Sequence, residues 1–97
     1  EGKVDLNNDS FDYLLQHKLI SMQFINNSMQ PTDIYPFNPN GSKQGVTAFC
    51  NQDGRFTIMM PHPERMFRSI QYSWKPKEWL EDGPWMRMFR NARVALN

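Results

Sequence analysis

The sequence predicts a small α/β domain, and three observations carry that prediction. Two segments with helical spacing, about 10–18 and 84–96, stand towards the two ends of the 97-residue chain. Four short runs with strand character, about 19–25, 32–35, 46–50 and 55–60, lie between them. The last two runs are joined by Asn51-Gln52-Asp53-Gly54, whose Asp-Gly pair supplies the positive-φ backbone of a tight hairpin turn. A chain of this length makes one small domain or a piece of a larger one. Residues 1–97 show no repeat, no low-complexity tract and no internal boundary, so they are read as part of a single domain.

Each element has a local reason. In the first helix, Asp9 or Ser10 can accept a backbone N–H bond as a cap, and Phe11, Leu14 and Leu15 share one face. The run LISMQFI at 19–25 is rich in branched and aromatic residues, as strands are. NNSMQP then reads as a turn, and TDIYP as a short strand stopped by Pro36. PFNPNGSKQG at 36–45 is a loop whose Asn and Gly residues suit special backbone angles, as functional loops often require. VTAFC and RFTIMM are the two hairpin strands. Residues 69–83 read as irregular. Pro84 suits the first helical position, where a missing N–H costs nothing. Trp85, Met88, Phe89, Ala92, Ala95 and Leu96 then form an apolar stripe, and Arg93 complements the helix dipole.

Composition excludes some functions. The formal net charge is +1, so no global basic field recommends nucleic acid or an acidic membrane as a partner. No apolar run approaches the ~18 residues of a membrane span. The single cysteine, Cys50, rules out an internal disulfide and fits a reducing, cytoplasmic compartment. The first residue is Glu1, not Met, and no signal peptide precedes it, which reads as a fragment or a processed product.

The chemistry concentrates in MMPHPERMFR at 59–68. His62 and Glu64 stand two apart, each preceded by a proline that biases its neighbour to extended geometry. Residues i and i+2 of an extended chain project to the same side. Glu64 can therefore orient the His62 ring and leave its other nitrogen free as a base. The competing reading is a surface loop with an incidental His and Glu. A base needs a nucleophile, and Cys50 lacks the context for one. Phe49 and Asn51 flank it, and no helix follows, so packing is the better reading of Cys50. A metal site from His17, Cys50, His62 and Glu64 matches no zinc spacing. The arginines of 65–68 and 87–93 alternate with Met and Phe in the manner of core stripes, not of a nucleic-acid surface. A phosphate cradle at 38-NPNGS-42 lacks the strand–loop–helix frame.

The residues also carry a resemblance. The runs 54-GRFTIMMPHPERMFR-68, 73-SWKPKEW-79 and 81-EDGPWMRMFRNAR-93 resemble the carboxyl end of the phosphoribosylformylglycinamidine synthases (FGAM synthases). Those are purine-biosynthesis ligases with a C-terminal glutaminase domain of the class I amidotransferase type. The runs 1-EGKV-4, 35-YPFNPNGS-42 and 45-GVTA-48 are similar to the same domain, so the likeness covers essentially the whole chain. The resemblance implies a flavodoxin-like fold, of which this chain is the C-terminal portion. It implies a Cys–His–Glu triad with His62 as histidine and Glu64 as glutamate. The family's nucleophilic cysteine lies upstream, and nothing here matches it, Cys50 included. It further implies glutamine as the substrate of the complete domain and the upstream domains of the same enzyme as partners. No cofactor belongs to this portion, whereas ATP and magnesium belong to the synthase domains. On this reading the 97 residues alone are inactive. Two alternatives stand beside it. One is a portion of another triad glutamine amidotransferase. The other is a non-catalytic docking module presenting Trp74, Trp79 and Trp85.

Overall fold

A computed structural model describes residues 2–97. Glu1, the first residue of the EGKV run, lies outside the described residues. The chain divides into two compact units, Glu1–Pro61 and His62–Asn97. The described residues hold two α-helices and a three-stranded antiparallel sheet, the small α/β arrangement expected. No helix among them is long and apolar enough to cross a membrane.

The first unit opens with α1, Asn8–Gln16. Its cap is Asn7, whose Oδ1 accepts the Ser10 N–H at 2.7 Å, so the helix starts ahead of the expected caps Asp9 and Ser10. Of the expected face only Phe11 is buried, while Leu15 is exposed. The Lys43 ammonium lies 4.8 Å from the centre of the Phe11 ring. The helix ends without a glycine. Lys18 takes φ 56° and its N–H reaches the Leu15 carbonyl at 3.2 Å, while the Leu19 N–H reaches the Leu14 carbonyl at 2.9 Å. That paired closure is a Schellman motif, and it turns Leu19 into the core.

Strands β1 (Ile20–Gln23), β2 (Val46–Cys50) and β3 (Thr57–Met59) pair antiparallel in that order. In the hairpin Phe49 faces Ile58 and Cys50 faces Thr57. The connection is longer than a two-residue turn. The Gly54 N–H bonds the Asn51 carbonyl at 3.0 Å, Gly54 takes φ +74°, and Asn51 Oδ1 accepts the Phe56 N–H at 2.9 Å. Val46 and Ala48 of β2 are buried, as are Phe11 and Leu19.

The strand expected at 32–35 does not form. Among the described residues a single isolated bridge, Ile25 to Pro31, follows β1. Pro31 and Pro36 have no N–H for a ladder, and the Ile34 N–H is taken by the Thr32 hydroxyl at 3.1 Å. The segment instead enters a loop built around a polar side chain. Asn38, 2 % exposed, donates from Nδ2 to the carbonyls of Thr32 (2.9 Å) and Ser42 (2.8 Å), and its Oδ1 accepts the Gly41 N–H at 2.8 Å. The fully buried Ser42 hydroxyl accepts the Val4 N–H at 3.1 Å. Gly45 returns the chain to β2 at φ +73°, where a Cβ would stand 2.6 Å from the Phe24 carbonyl oxygen, so no side chain fits.

The second unit starts at His62. Two tight turns, Pro63–Arg65 and Ser69–Gln71, precede α2 (Met86–Ala95). The Ser69 N–H bonds the Glu81 carbonyl at 2.7 Å and the Gly83 N–H bonds the Phe67 carbonyl at 2.8 Å, so 67–69 and 81–83 run as one antiparallel bridge. Tyr72 and Trp79 meet edge to face with ring centres 5.4 Å apart, and burial raises the Tyr72 hydroxyl pKa. Pro84 stands in the turn ahead of α2 rather than inside it: Met86 N–H reaches the Gly83 carbonyl and Arg87 N–H reaches the Pro84 carbonyl. An Asp82–Arg90 ion pair ties that turn to the helix. The stripe of α2 has no buried member, and Leu96 is 83 % exposed.

Candidate active site

His62 follows β3 by way of Met60 and Pro61. The Met60 N–H bonds the Thr47 carbonyl at 2.9 Å, which holds the strand end to β2. At His62 the backbone takes φ −111° and ψ 84°, and Pro63 opens the tight turn Pro63–Arg65. Proline suits that first position because its φ is already set and it has no N–H to satisfy. The Arg65 N–H closes the turn on the His62 carbonyl at 3.0 Å. Glu64 thus meets His62 across a turn, and not along the extended chain expected from the flanking prolines.

The two side chains are in contact. His62 Nδ1 lies 2.9 Å from Glu64 Oε1, so the Nδ1–H donates to the carboxylate and Nε2 is left as the free ring nitrogen. Both side chains are exposed, 48 % and 59 %. The Glu64 carboxyl pKa is lowered, first by the hydrogen bond from His62, then by the Glu64 backbone N–H; desolvation opposes these and the charges of His62 and Arg65 assist them. A depressed folded-state pKa means that the pair's contribution is present above the unfolded carboxyl pKa and is lost as pH falls through the lower folded value. At neutral pH Glu64 is therefore an anion that accepts from Nδ1–H. Carbon NMR titration of the Glu64 carboxyl is expected to give a midpoint below the ordinary carboxylate range. His62→Ala should move it back up; an unmoved midpoint would deny the hydrogen bond its leading role.

The other candidates fall elsewhere. Cys50 is half-buried at the end of β2, its N–H bonded to the Leu19 carbonyl at 2.8 Å, and the chain turns from it into β3 with no helix following. That is strand packing, and it lacks the sharp strand-to-helix turn of an exposed nucleophile. His17 lies at the end of α1, stacked on Tyr13 at 4.1 Å with Nδ1 bonded to the Tyr13 carbonyl. Among the described residues no group of three or more His, Cys, Asp or Glu side chains could hold a metal. Of the three tryptophans, Trp74 is 77 % exposed, while Trp79 and Trp85 are half-buried. An open groove runs along the start of α2, lined by Trp79, Asp82, Pro84, Arg87, Arg90 and Asn91; neither His62 nor Glu64 lines it.

Sequence reasoning missed the exposed side chain that is hydrogen-bonded to the end of this turn. Gln71 Nε2 donates to the Arg65 carbonyl at 2.8 Å and Gln71 Oε1 accepts the Arg68 N–H at 2.9 Å. A glutamine seven residues beyond Glu64 carries no spacing signal, because a tight turn between them sets the distance. The family model of the CobB/CobQ-like glutamine amidotransferase domain matches residues 1–94.

Proposed function

The chain belongs to the CobB/CobQ-like glutamine amidotransferase domain family, and from that premise we propose that it is the His–Glu-bearing C-terminal portion of the glutaminase domain of a phosphoribosylformylglycinamidine synthase. The observation that carries the catalytic part is the 2.9 Å contact from His62 Nδ1 to Glu64 Oε1. It fixes one tautomer and leaves Nε2 to move protons. The finer identity is supported by the PHPER run at 61–65 and the PWMRMFRNAR run at 84–93, which resemble that synthase.

In this reading a cysteine outside these 97 residues attacks the side-chain amide of glutamine. His62 Nε2 accepts the thiol proton and hands it to the departing nitrogen, so that ammonia leaves and a γ-glutamyl thioester remains. His62 then accepts a proton from water as the water attacks the thioester. Glutamate leaves and the thiol is restored. Glu64 stays an anion throughout, keeps the ring oriented and stabilises the imidazolium. The ammonia serves an ATP- and magnesium-dependent conversion of formylglycinamide ribonucleotide to formylglycinamidine ribonucleotide in upstream domains of the same cytoplasmic enzyme.

The test uses the full-length protein that carries this chain. It should consume ATP with formylglycinamide ribonucleotide and glutamine, and release glutamate in step with ATP consumption. The 97-residue chain alone should hydrolyse no glutamine. Activity with glutamine and a different acceptor, but none with formylglycinamide ribonucleotide, would replace the synthase by another amidotransferase. Glutamine hydrolysis by the isolated chain would overturn the assignment of the nucleophile.

A further inference from the structure

His62 and Glu64 are exposed, and among the described residues neither side chain has a side-chain hydrogen-bond partner except the other. Where the imidazole points is therefore set by the backbone of the Pro63–Arg65 turn. That turn is short, and its own bonds are local: Arg65 N–H to the His62 carbonyl and Met66 N–H to the Pro63 carbonyl at 3.2 Å. A single tight turn with hydrogen bonds of this kind frays readily unless something outside it holds it.

Gln71 supplies the outside hold. Its amide uses both ends, donating to the Arg65 carbonyl at 2.8 Å and accepting from the Arg68 N–H at 2.9 Å. The glutamine is itself anchored, because its N–H closes on the Arg68 carbonyl at 3.1 Å and Ser69 is bonded to the Glu81 carbonyl at 2.7 Å. A continuous set of hydrogen bonds thus runs from the 81–83 strand-like segment through Ser69–Gln71 to the carbonyl at the end of the turn that bears the pair. Tyr72 adds only a long contact, its hydroxyl 3.5 Å from the Met66 carbonyl.

We propose that Gln71 is a positioning residue for the His62–Glu64 pair, acting through the Arg65 carbonyl; this rests on the glutaminase reading above. A base must be held within fractions of an ångström of its working position, and a displacement of about 1 Å costs on the order of 100-fold in rate. Only a neutral amide of this length donates to one backbone group and accepts from the other. Glutamate at 71 keeps the acceptor for Arg68 but turns an oxygen towards the Arg65 carbonyl.

The test compares Gln71→Ala, Gln71→Glu and His62→Ala in the full-length protein. It measures kcat and KM for glutamine, and turnover with ammonium chloride as nitrogen donor. Both Gln71 variants are expected to lose about 10-fold in glutamine-dependent kcat, with KM and ammonia-dependent turnover unchanged. Wild-type kcat in Gln71→Ala, or in Gln71→Glu, overturns the proposal. Equal loss of glutamine- and ammonia-dependent turnover also overturns it, because that reports damage to the fold. If His62→Ala loses glutamine turnover while Gln71→Ala does not, only the tether fails. If His62→Ala keeps glutamine turnover, the glutaminase reading itself fails.

Discussion

His62→Ala in the full-length protein is expected to lower glutamine-dependent turnover by about 10²–10⁴-fold and to leave ammonia-dependent turnover unchanged. The magnitude follows from what one ring nitrogen is asked to do. In the proposed mechanism His62 Nε2 takes the thiol proton, returns it to the departing nitrogen and later takes one from water. Alanine removes every one of those transfers. On the same proposal added ammonia bypasses all of them, because it would enter after the glutaminase step. KM for glutamine should change little, since the ring acts on reacting protons and not on the substrate's fixed groups. Glu64→Gln should lose less. The amide oxygen can still accept from Nδ1–H, where Glu64 Oε1 now lies at 2.9 Å, but it carries no charge to stabilise the imidazolium. Cys50→Ser serves as the internal control and should retain wild-type turnover. Equal losses with glutamine and with ammonia in His62→Ala would reject the role of His62. Lost glutamine turnover with ammonia turnover retained in Cys50→Ser would instead assign the nucleophile to Cys50.

The sequence was most legible where a local rule acts alone. Asp53-Gly54 marked the β2–β3 connection, and Gly54 does take a positive φ of +74°. His62 and Glu64 were brought together as expected, though across a turn, because Pro63 can open a tight turn as readily as it can extend the residue before it. Legibility fell where distant groups compete for the same backbone atoms. TDIYP has strand composition, yet the Thr32 hydroxyl takes the Ile34 N–H and the carbonyl of Thr32 is bonded by Asn38, so no ladder forms. The end of α1 was hidden for a related reason: Lys18 fills the left-handed position that a glycine usually marks, stabilised by the two bonds that bury Leu19. Gln71 was invisible because its partners, Arg65 and Arg68, become neighbours only after two turns have folded.

Asn38→Ala is expected to cost about 2–4 kcal/mol in the local stability of residues 32–45. A buried polar group left without a partner costs roughly 1–3 kcal/mol, and the three groups freed here share one small site, so the costs do not simply add. Asn38 is 2 % exposed, and its amide bonds two carbonyls and one N–H of its own loop, at 2.8–2.9 Å. Removing it strands the Thr32 and Ser42 carbonyls and the Gly41 N–H, and leaves a void beside Ser42. Asn38→Asp separates those two effects. Aspartate has nearly the same volume and keeps Oδ1 for Gly41, but it sets a carboxylate oxygen against the Thr32 and Ser42 carbonyls. It should therefore destabilise at least as much as alanine, despite leaving no void. Asn40→Ala is the contrast. Asn40 is only half-buried; its Oδ1 accepts the Ser42 N–H at 3.0 Å, its Nδ2 donates to the Gly2 carbonyl at 3.2 Å, and water can stand in for both, so the cost should stay below about 1 kcal/mol. Hydrogen exchange read by mass spectrometry on peptides spanning 32–45, in the full-length protein, measures this opening directly. Faster exchange in Asn38→Ala and Asn38→Asp, with Asn40→Ala near wild type, is the expected order. Wild-type protection in Asn38→Asp would show that the volume of the side chain, and not its hydrogen bonds, holds the loop.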